Sequence, residues 1–203
     1  MQETRKGMLL VLSGPSGVGK GTLCHRLLDE DQSFTFSISV TTRARRENET
    51  DGVDYDFITN EQYDELLRQD AFLEHAEVHG NRYGTLRARV EGMMEQGINV
   101  VLDIDTQGAL NVMKMKPDCV SVFILPPSVS ELRARLVGRG TETPETIARR
   151  VGNARGEIAL MPHYQYAIIN DDLETAWQQL HSIVIAEKQK TSRYCPQVDD
   201  EAD

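Results

Sequence analysis

The chain has 203 residues, 39% hydrophobic and 27% charged, and its 22 Lys and Arg against 32 Asp and Glu give a formal net charge of −10. That length suits one domain with room for a small insertion, and the apolar fraction is enough for a core, so global disorder is excluded. The acidic balance argues against non-specific binding to DNA or anionic membranes, although local basic clusters can still bind phosphate.

Residues 8–13 (MLLVLS) form a continuous apolar run between Gly7 and Gly14, the pattern of a strand buried on both faces. A helix is expected over 19–28, with Leu23, Leu27 and Leu28 on one face. The pattern then changes. Segments 34–40, 53–58 and 72–78 alternate polar and apolar residues, which predicts a small mixed or antiparallel sheet, with 43–52 as a polar loop. The α/β rhythm resumes with a helix over 86–96, stopped by Gly97, and buried strands over 98–104 and 119–125. A helix over 130–137 leads to the loop Gly138-Arg139-Gly140. Thr143, with Pro144 at the first helical position, opens a helix toward Leu160. A short strand over 166–170 and a helix over 172–190 follow, and 198–203 is expected to fray.

This order predicts an α/β fold: a mostly parallel sheet flanked by helices, carrying an inserted mixed-sheet subdomain and a helical lid. The expected divisions are a core of 1–34 and 86–190 with a lid at about 137–157, a subdomain of 35–85, and a tail of 191–203. No apolar run approaches the ~20 residues needed to cross a bilayer, and the N-terminus lacks a signal-peptide pattern. Cys24, Cys119 and Cys195 are odd in number and widely spaced, as expected for reduced thiols in a cytoplasmic protein.

Gly14, Pro15, Ser16, Gly17, Val18, Gly19 and Lys20 follow a strand and open a helix, with the spacing and context of a phosphate-binding loop. Glycines let backbone N–H groups turn inward around an anion, the helix N-terminus adds partial positive charge, and Lys20 supplies a mobile cation for β/γ phosphates. The strict pattern has Ser or Thr after the Lys. Here Gly21 stands there and Thr22 follows, leaving Thr22 to reach a metal or the α-phosphate, directly or through water.

Arg43, Arg45 and Arg46 on the polar loop suit capture of a second, dianionic phosphate. Asp103, at the end of a buried strand, is placed to organise Mg²⁺ or its waters, whereas Asp105 fits a helix N-cap as well as it fits a functional role. Of the arginines at 133, 135, 139, 149, 150 and 155, Arg139 and Arg150 are the favoured partners of a transferring phosphoryl group. The histidines show no metal-ligand spacing beyond His75 and His79, which lie in an alternating segment, so a metal site there is not expected. Trp177 reads as core.

With these residues in hand, the chain resembles the bacterial guanylate kinases from about Gly7 to Lys190. The resemblance rests on an ordered set of motifs: 13–22 (SGPSGVGKGT), 36–46 (FSISVTTRARR), 52–57 (GVDYDF), 72–74 (FLE), 80–85 (GNRYGT), 102–108 (LDIDTQG), 138–142 (GRGTE) and Asn170-Asp171. It implies ATP-dependent phosphorylation of GMP with Mg²⁺, and ATP and GMP as partners rather than nucleic acid or membrane. Self-association is left open. Carried over by position, Arg43, Arg46, Tyr55 and Tyr83 would hold the GMP phosphate, and Ser39, Glu74, Thr85 and Asp105 would read guanine or its surroundings. Lys20, Arg139 and Arg150 would neutralise the transferring group, Asn170 would lie near adenine, and Asp103 would organise the metal. Ala44 and Arg45 depart from the Pro often found between the phosphate arginines, and Arg155-Gly156 is unusual within its helix. Two other readings compete: a guanylate-kinase-like binding module without catalysis, and a kinase of this fold acting on a phosphorylated ribose. The Asn-Lys-x-Asp signature of a regulatory GTPase is absent.

Overall fold

The first apolar run forms β1 (Leu9–Ser13), all five residues of which are buried. The computed structural model describes residues 6–78, 80–138 and 143–196. In chain order β1 is followed by α1 (Lys20–Glu30), β2 (Phe34–Phe36), β3 (Val40–Thr41), β4 (Asp56–Phe57), α2 (Asn60–Arg68), β5 (Phe72–Val78), β6 (Asn81–Leu86) and α3 (Arg87–Glu95). Next come β7 (Asn99–Asp103), α4 (Thr106–Met115), β8 (Val120–Leu125), α5 (Val129–Gly138), α6 (Pro144–Ile158), a 3₁₀ turn (Met161–His163), β9 (Tyr166–Ile169) and α7 (Leu173–Lys188).

Five strands form a parallel sheet in the order β2-β7-β1-β8-β9. Successive strand side chains point to opposite faces, and that alternation divides the core in two. Leu10 and Leu12 pack with Leu23, Leu27, Trp177 and Leu180 of α1 and α7. Leu9 and Val11 pack with Val90, Met94, Ala109 and Val112 of α3 and α4. Both faces of the sheet are covered, which is why its strands read as apolar runs rather than alternating ones. The central strand β1 lies between β7 and β8, so the loop leaving its C-terminal end opens at a switch point, where open α/β sheets bind ligands.

The second sheet has the order β4-β3-β6-β5, parallel between β3 and β4 and antiparallel elsewhere. Its small core of Val40, Tyr63 and Phe72 is roofed by α2. The segment expected as one strand over 34–40 divides: Phe34 to Phe36 pair with β7 in the large sheet, and Val40 and Thr41 join the small one. A boundary drawn at 34/35 therefore cuts β2, and the chain leaves the large sheet only after Phe36. Alternation over 53–58 overstated that strand. Thr50 O accepts from the N–H groups of Val53 and Asp54, so a turn leaves only Asp56 and Phe57 in the sheet.

Two helices went unforeseen. α2 carries a capping box: Thr59 Oγ1 accepts from Gln62 N, and Gln62 Oε1 accepts from Thr59 N. This signature was legible, but the short apolar pattern around it hid it. α4 starts at Asp105, whose Oδ1 accepts from Gly108 N at 2.8 Å. The start of α6 matches expectation, with Thr143 Oγ1 accepting from Thr146 N ahead of Pro144.

Residues 191–196, expected as part of a tail, pack against the domain. Arg193 donates to Glu187, which is 1% exposed, and to Asp118 O, and its own carbonyl accepts from Lys6 N. The expected fraying over 198–203 and the tip around Arg139 lie outside the described residues. Among the described residues, no helix is long and apolar enough to cross a membrane.

Candidate active site

The loop between β1 and α1 turns on Gly14, Gly17 and Gly19, with φ of 137°, 95° and 95°. An alanine Cβ at Gly14 would sit 2.2 Å from Ile124 O, so no other side chain fits there. α1 begins with no side-chain cap on its first N–H groups, which leaves these donors free for an anion. Lys20 curls over the loop and donates from Nζ to Gly14 O at 2.8 Å and Pro15 O at 3.3 Å. Burial lowers its pKa, opposed by the charges of Asp103 and Glu157. A desolvated ammonium held on two carbonyls is ready to exchange them for phosphate oxygens.

Asn170 braces this loop. It is 5% exposed, and its Nδ2 donates to Val18 O at 2.7 Å. The sequence reading put it near adenine; here its side chain lies under the glycines, with Nδ2 only 2.4 Å from where a Cβ on Gly19 would stand. Asn170→Ala is expected to leave the Val18 carbonyl without its donor at a cost of about 2 kcal/mol. For a chain of this size that lowers the thermal midpoint by roughly 4–8 °C, measurable by differential scanning calorimetry. An unchanged midpoint would remove the bracing role.

α6 lies over the loop. Arg150 Nη1 donates to Ser16 Oγ, and Glu157, seven residues on and so on the same helix face, bears electrostatically on Lys20. Burial raises the Glu157 pKa, opposed by Lys20 and Arg150. Sequence reasoning missed Glu157; its spacing from Arg150 was the available signal. Asp103 ends β7 beside Gly21, where a Cβ would meet its Oδ2 at 3.5 Å. Burial raises the Asp103 pKa, opposed by Lys20 and His25. Thr22 is exposed one residue beyond. Among the described residues no three His, Cys, Asp or Glu side chains gather to hold a metal on their own.

The arginine loop belongs to the small subdomain and is organised by Glu49, a residue the sequence reading did not single out. Arg43 grips the Glu49 carboxylate with both terminal nitrogens, at 3.0 and 2.7 Å. Arg46 N donates to the same carboxylate, and Arg45 donates to Glu49 O. Arg43 lies over the rings of Tyr55 and Phe57, and Tyr55 and Tyr83 meet edge to face at 5.9 Å. Hydrogen bonding to Glu49, then to Tyr83, raises the Arg43 pKa. The Arg46 side chain is 75% exposed and only 4.0 Å from Glu49, leaving its donors open. Arg43, Tyr55 and Tyr83 thus converge, with Arg46 at the rim.

A third group lies between these ends. Glu74 pairs across the sheet with Thr85, whose hydroxyl donates to Glu74 Oε1 at 2.7 Å. Burial raises the Glu74 pKa, the Thr85 bond lowers it, and Asp105 raises it. Both Glu74 and Asp105 face Gly108 at the start of α4. Asp105 is therefore the helix cap and also part of the electrostatic chain from Lys20 to Glu74. Ser39 is half-buried in the linker between the sheets, and its carbonyl accepts from Asp56 N. Arg139 and His79 lie outside the described residues.

The arrangement sets uncapped helix N–H groups and Lys20 at the loop of the large sheet, an arginine cluster on the small sheet, and the half-buried Glu74 carboxylate against the start of α4. A sequence model of guanylate kinase matches residues 6–187. The guanylate kinase of Syntrophotalea carbinolica is 50% identical over 189 residues, covering 93% of this chain and 90% of that protein. That of Symbiobacterium thermophilum is 49% identical over 193 residues, covering 95% and 92%. A crystal structure of guanylate kinase from Anaplasma phagocytophilum superimposes with a TM-score of 0.72 at 37% identity, covering 95% of this chain and 92% of that one. A family model that matches most of the chain, and relatives about half identical to it nearly end to end, show that the chain belongs to the guanylate kinase family.

Proposed function

We propose that the chain transfers the γ-phosphoryl group of ATP to GMP, with Lys20, Ser16 and Arg150 at the donor end, Arg43, Arg46, Tyr55 and Tyr83 at the acceptor phosphate, and Glu74 reading the base. The observation that carries the base assignment is the Glu74–Thr85 pair, in which Thr85 is buried and the Glu74 carboxylate is half-buried. Guanine presents an N1–H and a 2-amino group, two donors that one carboxylate accepts together, whereas adenine offers no such pair. A site built for those donors rejects a base lacking them, because its carboxylate is left buried and unpaired.

No general base is required, since the acceptor phosphate is already ionised near neutral pH. Catalysis consists of alignment and charge neutralisation. The glycine-loop N–H groups and Lys20 hold the β and γ phosphates, and Arg150 on α6 reaches the same loop. Arg43 exchanges Glu49 for the acceptor phosphate, and its stacking on Tyr55 and Phe57 keeps the guanidinium aimed. By its motif, we assign Arg139 the role of neutralising charge on the transferring phosphoryl group.

The donor set suits Mg²⁺, a hard ion bound through a carboxylate, substrate phosphates and water. Asp103 and Thr22 would hold it, partly through water in the space that Gly21 leaves. When bound, the ion draws charge from the phosphate oxygens. The division into a core carrying β1, a GMP-binding subdomain around the small sheet, and a lid built on α5 and α6 follows the same reading.

A coupled assay of ADP release with Mg·ATP and GMP, AMP, UMP, dTMP or ribose 5-phosphate tests the proposal. Turnover on GMP well above the others is expected. ATP binding without turnover on any acceptor would leave a binding module, and turnover on the sugar phosphate alone would overturn the role of Glu74.

A further inference from the structure

The segment 37–39, which carries the chain from the large sheet to the small one, lies outside both sheets, and two of its three carbonyls are held from outside. Ser39 O accepts from Asp56 N at 3.0 Å. Ile38 O accepts from Arg89 Nη1 at 2.7 Å. The same Arg89 nitrogen lies 2.6 Å from Asp56 Oδ2. Arg89, Asp56 and the Ile38–Ser39 peptide therefore close a ring. Arg89 stands at the third position of α3, and the next residue, Val90, is fully buried in the core behind β7. The ring is thus tied to the rigid body of the domain, and both charged members are largely shielded from solvent.

The ring joins two residues assigned to opposite ends of the acceptor nucleotide. Ser39, next to Ile38, is assigned to the base; Tyr55, next to Asp56, is assigned to the phosphate. We infer that Arg89 is a positioning residue for GMP, setting the separation between the base-reading Ser39 and the phosphate-binding Tyr55. The inference rests on the reading of those two residues given above. Arg89 suits this place because one guanidinium nitrogen, on a side chain that stays charged, reaches a carboxylate and a carbonyl together. An acceptor site stretched or slackened by a fraction of an ångström aligns the attacking phosphate less often, and misplacement of about 1 Å costs up to 10²-fold in rate.

The test compares Arg89→Met, Arg89→Lys and Asp56→Asn with the unaltered chain, reading KM for GMP and ATP separately, GMP affinity by calorimetry, and the thermal midpoint. Arg89→Met is expected to raise KM and Kd for GMP about tenfold and to leave KM for ATP within about twofold. Arg89→Lys should recover most of the loss. Asp56→Asn should weaken GMP in the same direction, and the double variant Arg89→Met with Asp56→Asn should be little worse than Arg89→Met alone, because both break one ring. A rise in KM for both substrates together with a lower thermal midpoint would mark Arg89 as merely structural and overturn the inference. Ser39→Ala and Tyr55→Phe separate this failure from that of the underlying reading. If they weaken GMP while Arg89→Met does not, only the role of Arg89 falls; if all three leave GMP binding unchanged, the acceptor-site reading falls and takes the ring with it.

Discussion

Lys20→Met is expected to lower kcat/KM for GMP phosphorylation by about 10³-fold, the range seen when one preorganised charge on a transferring phosphoryl group is removed. The ammonium rests on Gly14 O and Pro15 O, with burial lowering its pKa. In the free protein it is a poorly solvated cation; phosphate oxygens carrying developing charge are its better partners, so its contribution falls on the transition state. ATP binding should weaken far less, by about tenfold, because the loop and helix N–H groups remain. Single-turnover kinetics beside ATP binding checks this split. Lys20→Arg should recover little, since a planar fork replaces a point charge in a loop packed against Asn170. Equal losses in ATP binding and turnover would make Lys20 a general anion holder rather than a group that acts during transfer.

The second large effect is at Glu74. Glu74→Gln is expected to lower kcat/KM for GMP by about 10²- to 10³-fold, because an amide turns one donor toward a base edge that already carries two donors. The empty protein should respond in the opposite direction. Burial and Asp105 raise the Glu74 pKa, so its ionised form costs folding free energy at neutral pH. The glutamine keeps an acceptor for the Thr85 hydroxyl and removes that cost, and the thermal midpoint of the variant should exceed that of the parent. The proton is held more tightly in the folded state than in the unfolded one. The parent therefore gains relative stability as pH falls through the raised pKa, and the gap between the two midpoints should close on acidification.

The same ionisation governs binding. KM for GMP in the parent should climb as pH falls through a range above that of an ordinary glutamate. The GMP phosphate also takes up a proton near pH 6, in parent and variant alike. The difference between the two pH profiles therefore isolates Glu74. Identical profiles would show that the carboxylate is not in contact with the base.

Much of this was legible before any coordinates. β1, β7, β8, α1, α6 and α7 follow from apolar runs and helix-start signals that are local in sequence. The small sheet was harder to read, because its strands are two to seven residues long and its register depends on partners far along the chain, such as Val40 with Gly84. Alternation over 34–40 was real but could not show that its two halves join different sheets. α4 was hidden because the Asp105 cap also suited a site residue, and the structure gives Asp105 both a capping bond and an electrostatic position beside Glu74.

What the sequence determined by itself is the chemistry available: a glycine loop with its lysine, a cluster of arginines, strand-end aspartates, and an order of motifs shared along almost the whole chain. These follow from residue types at fixed spacing, and spacing of a few residues fixes geometry within one turn or loop. The tertiary structure decided the pairings across long separations: Asn170 under the loop 152 residues before it, Glu157 within electrostatic reach of Lys20, and Arg89 closing the ring with Ile38 and Asp56. Each depends on how helices and strands pack, and packing brings together residues that share no local pattern from which their contact could be read.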